Sequence, residues 1–165
     1  MKRIPIIATT AILLSFGAVP AVFAAQTCKP LNGHFEASLV APGQGHCPAD
    51  PSAFCTAGRV WGGIQGDYEF VMSGATPSAM IGGTATALFY AGQSNITLKN
   101  GDHVFGTDAG SLDPPPGQGG FASLITFTGG SGSMSSASGQ IRLNGQFDAI
   151  QGTTSGDYSG SLCGN

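Results

Sequence analysis

The chain has 165 residues, a formal net charge of −3 and only 9% charged side chains. Apart from the adjacent Lys2 and Arg3, its basic residues form no cluster. This argues against nucleic-acid binding, which needs a positive surface to neutralise phosphates, and against adsorption to anionic lipid. Because 41% of the residues are hydrophobic and the apolar ones alternate with polar ones, the composition favours a folded β protein over a disordered chain.

Residues 1–24 have the pattern of a secretory signal peptide. Lys2 and Arg3 precede the apolar run "IIATTAILLSFGAV", and small residues surround a cleavage point after Ala24. An N-terminal membrane anchor is the alternative, but the run is too short to cross a bilayer comfortably. We therefore predict a secreted or periplasmic protein, with one domain over residues 25–165 and no membrane span in the mature chain.

Several segments of the mature chain alternate between apolar and polar residues with the two-residue period of β-strands. In "GHFEASLV", Phe35, Ala37 and Leu39 share one face, and in "VWGGIQGDYEFVM" Tyr68 and Phe70 share an apolar face. The segments "TATALFYA" and "FASLITFT" are apolar on both faces, which predicts strands covered on both sides.

Turn signals separate the predicted strands. "KNGD" contains Asn100-Gly101, the favoured central pair of a type I′ hairpin turn. "DPPPGQGG" cannot continue a strand and predicts a long loop, and "GGSGSMSSASG" predicts a connection rich in glycine and serine. The spacing predicts about seven to nine strands, joined mostly by hairpins.

Four cysteines lie in the part predicted to be exported: Cys28, Cys47, Cys55 and Cys163. An oxidising compartment favours disulfides, and the wide spacings disfavour zinc, whose cysteine ligands come in close pairs. We favour the pairs Cys47–Cys55, which bracket a short loop, and Cys28–Cys163, which tie the last strand to the first. The long bridge requires neighbouring termini and so predicts an all-β, small antiparallel closed barrel, stapled by disulfides.

The last third of the chain resembles a known type of barrel. It has, in order, an apolar strand, a "GG[ST]G" turn, a small-residue stretch that ends in glycine, and "Y-x-G" near its end. The corresponding positions are Phe121 to Phe127, 129–132, Gly139, and Tyr158 with Gly160. This pattern is similar to the C-terminal half of allene oxide cyclase-like and dirigent-like proteins. It is also similar to uncharacterised exported bacterial proteins with a cysteine-bracketed loop after the first strand.

The resemblance implies a closed barrel of about eight strands whose apolar lumen holds or shapes a small hydrophobic molecule. It also implies a homo-oligomer, often a trimer. Met134 departs from the pattern, because an aromatic residue is common at that position. The polar catalytic residues of either family have no assigned counterpart on this chain.

The polar residues form no catalytic set that the sequence alone identifies. Asp102, His103, Asp108 and Asp113 fall close together in "NGDHVFGTDAGSLD". This segment admits a histidine–carboxylate acid–base pair or a calcium loop, but we favour a hairpin with aspartates in its turns. No metal or cofactor motif is present, so we predict neither a metal nor a cofactor.

Four aromatic residues lie on apolar faces of predicted strands: Tyr68, Phe70, Phe147 and Tyr158. Because a small barrel either fills with side chains or holds one ligand, they belong either to a filled core, which we favour, or to a lumen wall with two phenols that orient a ligand.

The sequence leaves three candidate functions. The favoured one is an exported protein that binds a small apolar molecule without catalysis or acts at the cell surface. The alternatives are a cyclase or isomerase that shapes a small hydrophobic substrate in the lumen and a structural, self-associating protein without a ligand.

Overall fold

Ten β-strands and one 3-10 turn form the regular structure of the residues that the computed structural model describes, 27–115 and 117–164. The strands are β1 (Thr27–Val40), β2 (Cys55–Gly62), β3 (Gly66–Pro77), β4 (Met80–Ile81), β5 (Thr84–Ala85), β6 (Leu88–Leu98), β7 (His103–Leu112), β8 (Gly120–Gly130), β9 (Ser138–Asp148) and β10 (Thr153–Gly164). The 3-10 turn, Gly132–Met134, lies between β8 and β9. The predicted signal peptide, residues 1–24, lies outside the described residues. Within the described ranges, no helix has the length and apolar character needed to cross a membrane.

Eight of the strands close into a barrel in the order β1, β10, β9, β8, β7, β6, β3, β2. All neighbouring pairs are antiparallel. The chain moves from each strand to its neighbour, except that β4 and β5 form a separate hairpin between β3 and β6, and β10 returns to β1. The predicted all-β class and closed antiparallel barrel are therefore confirmed.

The two predicted disulfides are present, at opposite ends of the barrel. Cys28 and Cys163 lie directly opposite each other in the β1–β10 pair, so their bridge joins the first and last strands. Cys47 and Cys55 close the loop between β1 and β2 at the other end. The described part of the chain has no free cysteine.

The core is built from the inward-facing side chains that the two-residue period predicts. Phe35 and Ala37 of β1 are buried, and Phe35 packs edge-on against Phe121 with 5.8 Å between ring centroids. Leu39, predicted on the same face, is 44% exposed. It lies at the rim of the barrel, where its side chain meets the turn at Gly152 instead of the core.

The turn between β6 and β7 differs from the predicted type I′ hairpin. The Gly101 N–H donates to the Leu98 carbonyl, and the Leu98 N–H donates to the Asp102 carbonyl. Lys99 and Asn100 are therefore the central residues, and a type I′ turn would need a positive φ at both. No described residue other than glycine has a positive φ, whereas Gly101 has φ +86°. The predicted turn type is wrong: Lys99 and Asn100 form the turn, and Gly101, at positive φ, forms a bulge after it.

The two strands predicted to be covered on both sides have exposed outer faces. Phe89 on β6 is 54% exposed, and Ala122 on β8 is also exposed. The prediction is wrong for the single chain, because these strands belong to a one-layer barrel whose outer side faces solvent. Only their inner faces pack against other strands of the same chain.

Candidate functional site

The barrel contains a partly open cavity of about 150 Å³ toward the Cys47–Cys55 end. Toward the Cys28–Cys163 end, buried side chains such as Val104 and Ile141 fill the interior. The lining of the cavity has seven aromatic, four aliphatic and four polar residues. These are Phe35, Phe54, Tyr68, Phe70, Tyr90, Phe121 and Phe147; Met72, Leu88, Leu112 and Leu143; and Thr56, Asp108, Ser123 and Thr154.

Asp108 is the one carboxyl group in this lining, and it is only 3% exposed. It lies in the middle of β7 on the inward face of the strand. The Ser94 hydroxyl donates to Asp108 Oδ2 at 2.9 Å, and the Ser123 hydroxyl donates to Oδ1. The Tyr68 hydroxyl lies 3.5 Å from Oδ2 and 3.2 Å from Ser94 Oγ. Strands β3, β6 and β8 thus each direct one hydroxyl toward this carboxyl group.

Burial controls the ionisation of the groups around Asp108. Desolvation raises the pKa of Asp108 above its ordinary value, while hydrogen bonds from Ser123, Ser94 and Tyr68 act in the opposite direction. Burial, followed by the nearby Asp108 charge, raises the pKa of Tyr68 well above its ordinary value, and the same two causes raise the pKa of Tyr90. No lysine, arginine or histidine belongs to the described lining, so no protein cation offsets the Asp108 charge there.

Two glycines make room for the rings beside Asp108. Gly92 of β6 faces Phe70, and a Cβ placed there would lie 2.7 Å from the Cζ atom of that ring. Gly110 of β7 faces Tyr90, and a Cβ there would lie 2.7 Å from the tyrosine hydroxyl. Real Cβ atoms do not approach so closely. The two rings therefore lie against the wall, 5.8 Å apart and edge-on, rather than across the cavity.

The loop closed by the Cys47–Cys55 bridge supplies part of the cavity rim. Phe54 precedes Cys55, its carbonyl accepts a 2.9 Å hydrogen bond from the Met72 N–H, and its ring packs edge-on against Phe147 at 5.8 Å. His46 of the same loop places Nε2 3.2 Å from the Phe70 carbonyl oxygen. The disulfide therefore holds an aromatic side chain over the cavity.

The four aromatic residues that the sequence assigns either to a filled core, the favoured interpretation, or to a lumen wall do not form one group. Tyr68, Phe70 and Phe147 line the cavity, but Tyr158 does not. The Tyr158 hydroxyl accepts a 2.8 Å hydrogen bond from the Ile64 N–H and lies 3.1 Å from the Ile64 carbonyl oxygen. Its polar group is therefore satisfied by the β2–β3 connection, and we leave Tyr158 out of the proposed site.

The acidic segment around Asp108 is spread over the barrel. Asp102 lies in the β6–β7 turn and accepts hydrogen bonds from Ser133, while Asp113 lies in the loop after β7. His103 Nδ1 lies 3.1 Å from Thr97 Oγ1. Only Asp108 reaches the cavity. The interpretation as turn aspartates missed it, although the alternation of β7 would place Asp108 on its inward face.

The site offers an apolar space of the size of one ring and a single carboxyl group that can accept a hydrogen bond or carry a proton. Among the described residues, no three His, Cys, Asp or Glu side chains come together in a way that could hold a metal ion. No known family model matches the chain, and no curated protein is significantly similar to it in sequence. The resemblance to allene oxide cyclase-like and dirigent-like barrels therefore stays a prediction.

Proposed function

We propose that the protein is an exported barrel that binds one small, largely apolar molecule in the cavity around Asp108. The observation that carries this proposal is the cavity itself, a concave space with an aromatic lining and one convergent polar cluster. Such a combination is the usual form of a small-molecule site. The cluster of Asp108, Ser94, Ser123 and Tyr68 provides polar groups that would fix the orientation of the ligand.

The volume restricts the ligand. Sites for drug-sized molecules commonly measure about 300–1,000 Å³, whereas this cavity measures about 150 Å³. An apolar cavity of about 150 Å³ in another protein holds one benzene molecule. A ligand held entirely within this space therefore has one ring and a few substituent atoms.

Export is part of the proposal. Both disulfides belong to a chain without free cysteines in its described part, and such bridges persist in oxidising compartments. The signal peptide predicted at residues 1–24 agrees with this. N-terminal sequencing of protein recovered from the periplasm or the culture medium should begin near Ala25. Recovery of the protein only from the cytoplasm, with Met1 retained, would contradict export.

Ligand-observed NMR with toluene, phenol and indole tests binding directly. Wild-type protein should bind at least one of these probes. Leu143→Phe, which places a larger side chain into the cavity, should lose binding, while Phe105→Ala, on the outer surface, should retain it. A wild-type protein that binds none of the three probes would exclude the proposed function.

A second candidate function is acid–base catalysis, such as that of a cyclase or isomerase. It is favoured by the raised pKa of Asp108 in a cavity that it shares with Tyr68, since catalytic carboxyl groups are often tuned in this way. Exchange of the α-protons of cyclohexanone in D2O tests it. Wild-type protein should accelerate the exchange and Asp108→Asn should not. A wild-type rate equal to that of the buffer would exclude it.

A third candidate is self-association, with the trimer that the resemblance implies. It is favoured by the β6–β8 outer face, whose outward positions carry no charged side chain and include the half-exposed Phe89 and Phe105. Light scattering after size exclusion should give a mass above that of one chain. Phe105→Lys should then reduce it to one chain, and a monomeric wild-type protein would exclude this function.

A further inference from the structure

We propose that the ligand of the cavity is a small organic cation, a protonated amine on a single apolar ring, whose ammonium group binds the Asp108 carboxylate. This inference rests on the proposed binding function and adds the chemical class of the ligand. It follows from three features of the cavity: an uncompensated acid, one unused acceptor position, and aromatic walls.

The first feature is the missing positive charge. Asp108 is 3% exposed, and no lysine, arginine or histidine is among the residues that share the cavity with it. A buried carboxylate without a cationic partner is costly, so buried acids are normally paired. The hydroxyls of Ser94, Ser123 and Tyr68 supply hydrogen bonds, but none of them supplies a charge.

The second feature is the number of hydrogen bonds that Asp108 already accepts. An ionised carboxylate has about four acceptor positions. Ser94 and Tyr68 approach Oδ2, and Ser123 approaches Oδ1, which leaves one position on Oδ1. A neutral alcohol could add a fourth hydrogen bond there, whereas a protonated amine would add both the hydrogen bond and the charge.

The third feature is the nature of the walls. Tyr68, Phe70, Tyr90 and Phe121 are among the seven aromatic residues of the lining. The negative faces of such rings attract organic cations, and this attraction increases when the cation is desolvated. An aromatic cavity with one acid can thus hold a cation that would be unstable in an aliphatic one.

The protonation state of the Asp108 carboxyl group should control the affinity of the cavity for an amine. Binding of an ammonium needs the ionised acid, whose pKa burial raises. The titratable groups that face it are Tyr68 from β3 and Tyr90 from β6, both with raised pKa values, so both stay neutral near pH 7. Ser123 from β8 and Ser94 do not titrate. The affinity for an amine should therefore fall as the pH is lowered through the pKa of Asp108.

Calorimetric titration with benzylamine, benzyl alcohol and toluene tests the inference, because the three probes share one ring and differ in charge and polarity. Wild-type protein at pH 7 should bind benzylamine about tenfold or more tightly than benzyl alcohol, as expected for a charge-assisted bond. Lowering the pH should weaken benzylamine alone. Asp108→Asn should remove the preference for benzylamine but keep toluene binding, while Asp102→Asn, at an exposed carboxylate, should change neither.

The outcomes separate the inference from the function on which it rests. Binding of toluene and benzyl alcohol without a preference for benzylamine would overturn the inference and leave the binding function standing. Failure of all three probes would overturn both. If Asp108→Asn does not fold, the pH profile of benzylamine binding to wild-type protein decides, and an affinity that does not fall in acid would overturn the inference.

Discussion

Ser123 on β8 and Asp108 on β7 are both buried, and the serine hydroxyl donates a hydrogen bond to the aspartate Oδ1 atom across the two neighbouring strands. This contact stabilises the ionised form of an acid whose burial favours the neutral form. The balance between these two effects determines how the stability of the barrel depends on pH.

Asp108→Asn should increase stability at pH 7. The folded-state pKa of Asp108 is raised, so the folded protein holds this proton more tightly than the unfolded chain does. The contribution of this bound proton to the free energy of unfolding is greatest below the ordinary pKa and declines as the pH rises toward the folded-state value. Asparagine does not ionise, so the variant does not lose stability in this way as the pH rises. Thermal unfolding should show a higher Tm for the variant at pH 7 and a smaller difference in acid.

Asp102→Asn provides a control of opposite sign. Hydrogen bonds from Ser133 lower the pKa of Asp102, so its contribution to stability is present above the ordinary pKa and is lost as the pH falls. This variant should have a lower Tm than wild type at pH 7 and approach it in acid. If the two variants changed Tm in the same direction at pH 7, the interpretation of both carboxyl groups would be wrong.

Leu143→Phe and Ile141→Phe should differ in stability although both residues are inward-facing positions of β9. Leu143 lines the cavity, so the extra ring atoms can enter empty space. Ile141 is 2% exposed in the filled part of the core, where overpacking typically costs about 1–3 kcal/mol. Urea denaturation should give a much smaller loss of unfolding free energy for Leu143→Phe. Equal losses of unfolding free energy in the two variants would indicate that the cavity cannot accommodate the larger side chain at position 143.

The sequence could predict the barrel because its main signals are local and periodic. The alternation that buries Phe35, Tyr68 and Phe70 is visible in the sequence, and the spacing of the cysteines indicated the closing bridge between Cys28 and Cys163. A closed barrel then follows from an antiparallel chain whose first and last strands are joined.

The site was harder to predict from the sequence than the fold. Which residues line the cavity depends on strand register and on loop conformation, and neither has a periodic signal in the sequence. Asp108 has acidic neighbours in the sequence, but β7 separates Asp102 and Asp113 to its two ends and leaves Asp108 between them. Phe54 lies in a loop without periodicity, so nothing in the sequence places its ring over the cavity. The Asn100-Gly101 pair suits both a type I′ turn and a glycine bulge, and only the hydrogen bonds distinguish them.

Tyr158→Phe should destabilise the protein without affecting the cavity. The Tyr158 hydroxyl pairs with the Ile64 N–H at 2.8 Å, and a buried donor left without its partner costs about 1–3 kcal/mol. Tyr68→Phe should instead reduce the affinity for benzylamine or phenol. It should change stability less than Tyr158→Phe does, because the Tyr68 hydroxyl has only longer contacts, of 3.2 and 3.5 Å. Urea denaturation and probe titration of both variants test this. Loss of probe binding in Tyr158→Phe alone would contradict the assigned site.

The two disulfides should contribute differently when each is replaced by a pair of alanines. In the chain-entropy account, the Cys28–Cys163 bridge contributes about 5 kcal/mol and the Cys47–Cys55 bridge about 2.5 kcal/mol, because the first closes a much longer loop. Removal of the long bridge should therefore lower the unfolding free energy more.

Removal of the short bridge should instead weaken toluene binding, since the loop that it closes holds Phe54 at the cavity rim. The long bridge lies at the opposite end of the barrel, so its variant should bind toluene normally under conditions in which it is folded. Denaturation and titration of both variants decide the matter, and unchanged toluene binding without Cys47–Cys55 would show that the loop does not shape the cavity.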